Sequence, residues 1–348
     1  MWIYWILFLW PALFAVVEPR FSASLSKLVI PLFAIFLTLI IGLRFEVGVD
    51  WDNYLHHLDF AENAGWFDAG QSKDIGYGLL NLVAVSNDYG IWLVNLICAI
   101  VFVTGFIVFC RKLPNPWLGL AVGIPYMAVV MGMNYTRQSA ALGFVLLALV
   151  AIQDGRIRRF VILIIAASMF HKSAVIMLPI AALIRARNRF WIFIWVSVAF
   201  MLSFIAFVAE SLDGVVNSYV VEELTSGGAL IRVAMNAGAA LVFLAMRRLL
   251  ELPPLHLKLW TWISIIALLF IPAFVLSPSS TAVDRLALYF MPIQLLAFAY
   301  LPSAMRQWGL RRVATLFLVF GYAVIMFVWF KYSPFSYAWL PYKFYPLE

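Results

Sequence analysis

A succession of long apolar runs, separated by short charged breaks, extends from one end of this chain to the other. The runs fall at 2–17, 28–43, 89–110, 117–133, 136–153, 190–209, 229–246, 259–276, 285–302 and 313–330, with a further run over 159–184 interrupted by His171-Lys172-Ser173. A helix needs about 20 mostly apolar residues to cross the hydrocarbon of a bilayer, where every backbone polar group must be satisfied internally. Composition agrees: 65% of residues are hydrophobic and 12% charged, against about 25% charged in soluble domains. A chain with so few charges cannot cover itself with a polar surface. The expectation is an all-α, polytopic membrane helical bundle, one transmembrane domain over residues 1–348.

Charge sets the orientation. Arg156, Arg158 and Arg159 precede the broken run and Arg185, Arg187 and Arg189 follow it. Both clusters belong on the cytoplasmic side by the positive-inside rule, so the segment must enter and return, as two short or re-entrant helices with His171 at the turn. Each half has only about a dozen residues, too few for a full span. This gives about 12 transmembrane or re-entrant segments with both termini exterior. Sixteen of the 24 Lys and Arg then lie inside and eight outside. Exterior loops are expected at about 44–88 and 210–228, followed by an aromatic exterior tail over 331–348.

The net charge of +7 is explained by these clusters, so nucleic acid is not an expected partner; the lipid bilayer is. Cys98 and Cys110 share one apolar run and read as packing residues. The opening MWIYWILFLW has no basic residue before its apolar run, which predicts a retained first helix rather than a cleaved signal. His256 sits among prolines in a cytoplasmic loop and reads as structural.

The exterior basic residues carry the chemical information, because orientation does not explain them. Arg44 ends the second run, Arg137 lies in MNYTRQSA between two runs, and Arg285 lies in VDRLALYF. Guanidinium forks bind phosphate oxygens bidentately and keep their charge. Snorkelling to the interface is the competing reading for any one of them. His171 sits at a helix break inside an apolar run, where a base near neutral pH is available; Lys172 beside it adds positive charge. A hydrogen-bonded histidine in a helix turn is the plainer alternative. Asp50, Asp52, His56 and His57 lack the spacing of a metal site, so no metal and no cofactor is expected. Arg44, Asp50, Arg137, His171 and Arg285 are thus placed on one face as the working site.

At these residues a family resemblance emerges. Arg44, Val47, Gly48, Asp50, Trp51 and Tyr54 are followed by Gly76-Tyr77, by Asn134, Arg137 and Gln138, by Phe170 to Ala174, and by Arg285, Tyr289 and Phe290. In that order and spacing the chain resembles the EpsG-type branch of the Wzy-like polysaccharide (O-antigen or exopolysaccharide) polymerases over nearly its whole length. The resemblance implies a GT-C-like fold in a bacterial cytoplasmic membrane, with the active site on the periplasmic or extracellular face. It implies a glycosyltransferase that moves a glycan from an undecaprenyl-diphosphate carrier onto the non-reducing end of a lipid-linked repeat unit. It also implies a chain-length regulator and a flippase as pathway partners. Arg137, Arg285, Arg44 and Lys172 are expected to hold the diphosphate, since arginines neutralise charge on a departing diphosphate. His171 or Asp50 is expected to activate the acceptor in an inverting displacement. Asp52, Tyr54, Tyr77, Asn134, Gln138 and Tyr289 are candidates for glycan contact.

Other functions compete. A flippase would need charge on both sides of a through-cavity and inverted repeats, which the sequence lacks. The D-x-D of Asp50 and Asp52 keeps another lipid-dependent glycosyltransferase open, and an O-antigen ligase shares the chemistry with a different acceptor. An acyltransferase needs a histidine paired to a carboxylate, and His171 has no such sequence neighbour.

Overall fold

The computed structural model describes residues 1–17, 23–69, 74–185, 228–277 and 280–348. The helices are α1 Trp2–Val17, α2 Ala23–Gly42, α3 Trp51–Ala69, α4 Ile75–Ser86, α5 Gly90–Cys110, α6 Pro116–Asn134, α7 Thr136–Gln153, α8 Ile157–Phe170, α9 Pro179–Arg185, α10 Ala229–Met246, α11 Pro254–Leu276, α12 Ser280–Ala287, α13 Pro292–Tyr300 and α14 Trp308–Tyr332. Among the described residues, six of them (α5, α6, α7, α10, α11 and α14) are long and apolar enough to cross a membrane, and the bent pair α12–α13 makes up to seven. The expected dozen is therefore not reached by length and composition. Residues 2–17, 28–42, 75–86 and 172–184 form shorter apolar helices. The expected helix over 190–209 and nearly all of the loop at 210–228 lie outside the described residues.

Helix α6 is the most buried of the long helices. Asn115 caps it, its side chain accepting from Leu118 N at 2.8 Å, and Pro116 occupies the first turn, where its missing N–H costs nothing. From Ile124 to Met131 the helix widens to π geometry just where Pro125 removes a donor. The Val129 carbonyl there accepts from Trp339 Nε1 at 3.0 Å. Helices α5 and α7 meet through Gly105 and Gly143, where a Cβ on Gly105 would lie 2.1 Å from the Gly143 carbonyl. Such close backbone approach is the usual use of small residues between membrane helices.

Both termini reach the same end of the bundle. Tyr4 donates to the Trp339 carbonyl at 2.7 Å, and Tyr345 N donates to Leu43 O. The expected tail over 331–348 starts with the last two residues of α14, and residues 333–348 fold back as 3-10 turns and a two-residue strand, β2 Lys343–Phe344, paired antiparallel with β1 Arg44–Phe45. Rather than lying free as an aromatic tail, it straps α1, α2 and α6 together, because its indole and phenol groups have buried carbonyl partners to satisfy. The stretch 44–88 is likewise not an irregular loop: α3 and α4 occupy most of it and pack on each other at this terminal end.

The opposite end carries Lys112 paired with Asp154, His256 against the Gln153 carbonyl, and Lys258 on the Ile184 carbonyl. These contacts place residues 153–157 and 184 together, while the residues midway, Lys172 and Ser173, bond Asp74 and Tyr289 at the terminal end. The broken run is thus a hairpin that enters and returns with His171 at its apex. Its arms are about 20 Å each at ~1.5 Å per residue, short of the ~30 Å hydrocarbon.

Candidate active site

Five elements converge at the terminal end: the turn from Arg44 to Asp50, the first turn of α4, the first turn of α7, the hairpin apex and α12. Gly48 lets the first of these turn sharply. Its φ is +104, and a Cβ there would lie 2.7 Å from the Met133 carbonyl. The chain can then bring Asp50 onto Asn134. Asp50 N donates to Asn134 Oδ1 at 3.1 Å, and Asn134 Nδ2 donates to Asp50 Oδ2 at 3.2 Å. Burial raises the Asp50 carboxyl above its ordinary value, and the charges of Arg285 and then Arg137 act against that rise. The same two charges act on His171, so two guanidiniums, a carboxyl and an imidazole share one electrostatic neighbourhood.

Arg137 opens α7 and keeps 28% of its side chain exposed. Its Nη1 donates to Asp74 Oδ2 at 2.8 Å, its guanidinium lies 5.8 Å from the centre of the Tyr77 ring, and its Nε is buried without a partner among the described residues. Tyr77, Tyr54 and His57 form an aromatic group with ring centres 5.9–6.4 Å apart. Burial, then the Arg137 charge and His56, hold the His57 imidazole down at about 4, so the ring is neutral at physiological pH. Asp52 and His56 stand exposed on α3.

His171 terminates α8 with an extended backbone, φ −157 and ψ 114. Its Nδ1 lies 2.6 Å from the Ser173 hydroxyl, which donates to the buried Tyr289 hydroxyl at 3.3 Å. Lys172 is exposed; its backbone N–H donates to Asp74 Oδ1 at 3.1 Å. Gln138 donates to the Arg285 carbonyl at 2.8 Å, fixing α12 against α7. The Arg285 side chain is exposed, with no hydrogen-bond or ion-pair partner among the described residues.

Arg44 stands apart from this open group. It is 1% exposed, and it donates to the carbonyls of Ile41 at 2.7 Å and Val47 at 3.3 Å, to Thr136 Oγ1 at 2.7 Å and to Asn95 Oδ1 at 3.2 Å. All four partners are neutral protein atoms. Arg44 thereby ties the end of α2 to α5 and to the residue before Arg137.

Of the residues singled out in sequence, Asp50 and Asn134 bond each other, Arg137 stacks with Tyr77, and Gln138 holds the backbone of Arg285. His171 and Tyr289 connect through Ser173. Asp74 and Ser173 were not recognised as connectors. Asp74 had a signal, being a carboxylate immediately before an apolar helix and two residues from Gly76. Also unforeseen is the buried pair of Arg232 on α10 with Asp284 on α12. Arg232 Nε donates to Asp284 Oδ1 at 2.6 Å and Nη2 donates to Oδ2, beside Arg285. Arg232 lies within an apolar run and Asp284 lies 52 residues further along the chain, so no spacing or motif in the sequence joins them.

The EpsG family model matches residues 27–344, which include every residue of this assembly. No curated protein and no solved structure matches the chain. The match covers most of the sequence, and the chain belongs to the EpsG family, a family of the Wzy-like polymerase type.

Proposed function

We propose that this protein is a membrane glycosyltransferase that polymerises a polysaccharide, moving a growing glycan from undecaprenyl diphosphate to the non-reducing end of a lipid-linked repeat unit. The observation that carries the reading is the convergence at one end of the bundle of two partly open guanidiniums, Arg137 and Arg285, with Asp50 and His171 under their joint charge. Family membership supports the same reaction class.

In this reading the acceptor hydroxyl attacks the anomeric carbon, the bond from that carbon to the diphosphate oxygen breaks, and configuration inverts. His171 takes the hydroxyl proton at Nε2, its Nδ1 being engaged with Ser173. The undecaprenyl diphosphate leaves with its electron pair, and Arg137 and Arg285 stabilise the charge that develops there, Lys172 adding to the field. Asp50, held by Asn134 and under the charge of both guanidiniums, orients the acceptor hydroxyl. No nucleotide or metal enters the scheme. Arg44, with its donors satisfied inside the protein, serves to position the first turn of α7 rather than to touch the diphosphate. Tyr54, Tyr77, Asn134, Gln138 and Tyr289, all buried, support the glycan side from within, and the exposed Asp52 is the candidate among them open to a sugar. With the excess of basic residues at the opposite end inside, the assembly faces the periplasm of a bacterial cytoplasmic membrane.

The test is purified protein in detergent with synthetic lipid-diphosphate repeat units and no added metal or nucleotide. A ladder of glycans separated by one repeat is expected. Unreacted substrate, or movement of the repeat across sealed vesicles without elongation, overturns the reading in favour of no such activity or of a transporter.

A further inference from the structure

Asp74 is the least expected member of the assembly. It precedes α4 in the position where an aspartate ordinarily bonds the amides of its own first turn. Its backbone has the extended shape of such a cap, φ −123 and ψ 92, yet its side chain makes no capping bond. Both carboxylate oxygens are directed away from the helix. Oδ2 accepts from Arg137 Nη1 at 2.8 Å, and Oδ1 accepts from the Lys172 backbone N–H at 3.1 Å. The residue is only 5% exposed. The helix start here forgoes its side-chain cap, and the buried carboxylate joins two other elements instead.

The surrounding sequence is built for that junction. Gly76 sits where a Cβ would lie 3.0 Å from Met169 Cβ and 3.1 Å from the Met169 carbonyl. Any side chain at 76 would hold α4 off the last turn of α8 and draw Asp74 away from Lys172. Tyr77, one residue on, presents its ring to the same guanidinium. Residues 74–77 therefore grip Arg137 by one terminal nitrogen and by one neighbouring ring face. The same carboxylate ties down the backbone next to His171.

We infer that Asp74 is a positioning residue: it sets the orientation of the Arg137 guanidinium relative to His171 without touching the substrate. The inference rests on the polymerase reading for its kinetic consequence, not for its geometry. Its electrostatic signature is unusual. Asp74 partly neutralises Arg137, so its charge opposes binding of an anion while its geometry favours the transition state. Removing the charge separates the two effects, whereas simple structural damage weakens both together.

Full-length Asp74→Asn, Asp74→Glu and wild-type protein are compared in two measurements, turnover of synthetic lipid-linked repeats and equilibrium binding of undecaprenyl diphosphate. Asp74→Asn is expected to lose at least ~10-fold in kcat, with Kd for undecaprenyl diphosphate unchanged or lower. Asp74→Glu, which keeps the charge on an arm one methylene longer, is expected to lie between it and wild type in kcat. It carries the comparison alone if Asp74→Asn does not fold, its lowered kcat again coming without a rise in Kd. An unchanged kcat, or a Kd that rises in step with the loss of kcat, overturns the inference. A wild-type protein that binds but never elongates overturns the polymerase reading instead. The binding comparison then decides Asp74 by itself: a Kd in Asp74→Asn below wild type supports it, and an equal or higher Kd sinks it.

Discussion

Replacing Gly48 with alanine perturbs the site through its backbone alone. At φ +104 an L-residue is strained, at a cost of about 1–3 kcal/mol. The new Cβ would lie 2.7 Å from the Met133 carbonyl, 3.1 Å from Asn134 Oδ1 and 3.2 Å from Asn134 Cα, where ordinary contact begins at 3.4 Å. Relief requires about 0.7 Å of movement against the end of a buried helix, a shift that bears directly on Asn134. Asn134 holds Asp50 by two hydrogen bonds, so the carboxylate moves with it. A displacement approaching 1 Å at a reacting centre costs on the order of 10²-fold in rate. Gly155→Ala is the matched control. Gly155 also has a positive φ, +74, but nothing lies within 4 Å of its Cβ position and it sits at the opposite end of the bundle. The assay is elongation of lipid-linked repeats by detergent-purified protein, with thermal unfolding monitored in parallel. Gly48→Ala is expected to fold and to lose about 10²-fold in kcat, while Gly155→Ala loses only a little stability and elongates at the wild-type rate. Wild-type elongation by Gly48→Ala, or equal inactivation of both variants, refutes the reasoning.

Four further outcomes follow from the same geometry. Arg137→Lys retains the fold and loses about 10²-fold or more in kcat, because a point charge replaces neither the bond to Asp74 nor the fork offered to phosphate; glycan of wild-type length from that variant removes Arg137 from the diphosphate. His171→Ala stops elongation while lipid-linked single repeats accumulate, and Asp50→Asn removes the acid limb of the kcat/KM profile. That limb lies above the ordinary aspartate value of about 3.9, since burial raises the Asp50 carboxyl and activity falls as pH drops through the raised value; a limb unchanged in Asp50→Asn assigns it to another group. Arg232→Met takes the guanidinium fork away from the buried Asp284 carboxylate and costs about 3–5 kcal/mol, whereas Arg232→Met combined with Asp284→Leu recovers much of it; additive losses in thermal unfolding contradict that coupling.

Much of the fold was legible because it is written in the distribution of charge. The hairpin about His171 followed from arginines on both sides of one apolar run, and the contacts of Lys172 with Asp74 and of Lys258 with Ile184 have that form. Span number was less legible. The apolar runs at 2–17 and 28–43 are short for a bilayer, and the run at 285–302 is two helices bent by 45° at Pro292. Hydropathy counts apolar residues but does not see a bend. The stretch 44–88 read as a loop because α3 is rich in charged and polar residues, α4 has only 12 residues, and both lie at the end of the bundle. The strap formed by residues 333–348 was invisible, since its bonds reach Tyr4, Ile40 and Val129 across more than 200 residues of chain. At the site, an unexplained exterior cation was the useful signal, and it drew attention to Arg137 and Arg285. It drew equal attention to Arg44, whose guanidinium is buried on protein acceptors for a reason the sequence does not carry: the Asn95 and Thr136 side chains that bond it lie 51 and 92 residues away.

The central claim is that the assembly around Arg137, Arg285, Asp50 and His171 transfers glycan with a lipid diphosphate as leaving group. The most direct measurement counts undecaprenyl diphosphate released against glycosidic bonds formed, in one reaction with purified protein. One molecule released per bond, with both quantities falling together in Arg137→Lys, is the predicted result. Elongation without release, or release that continues without new bonds, contradicts the account.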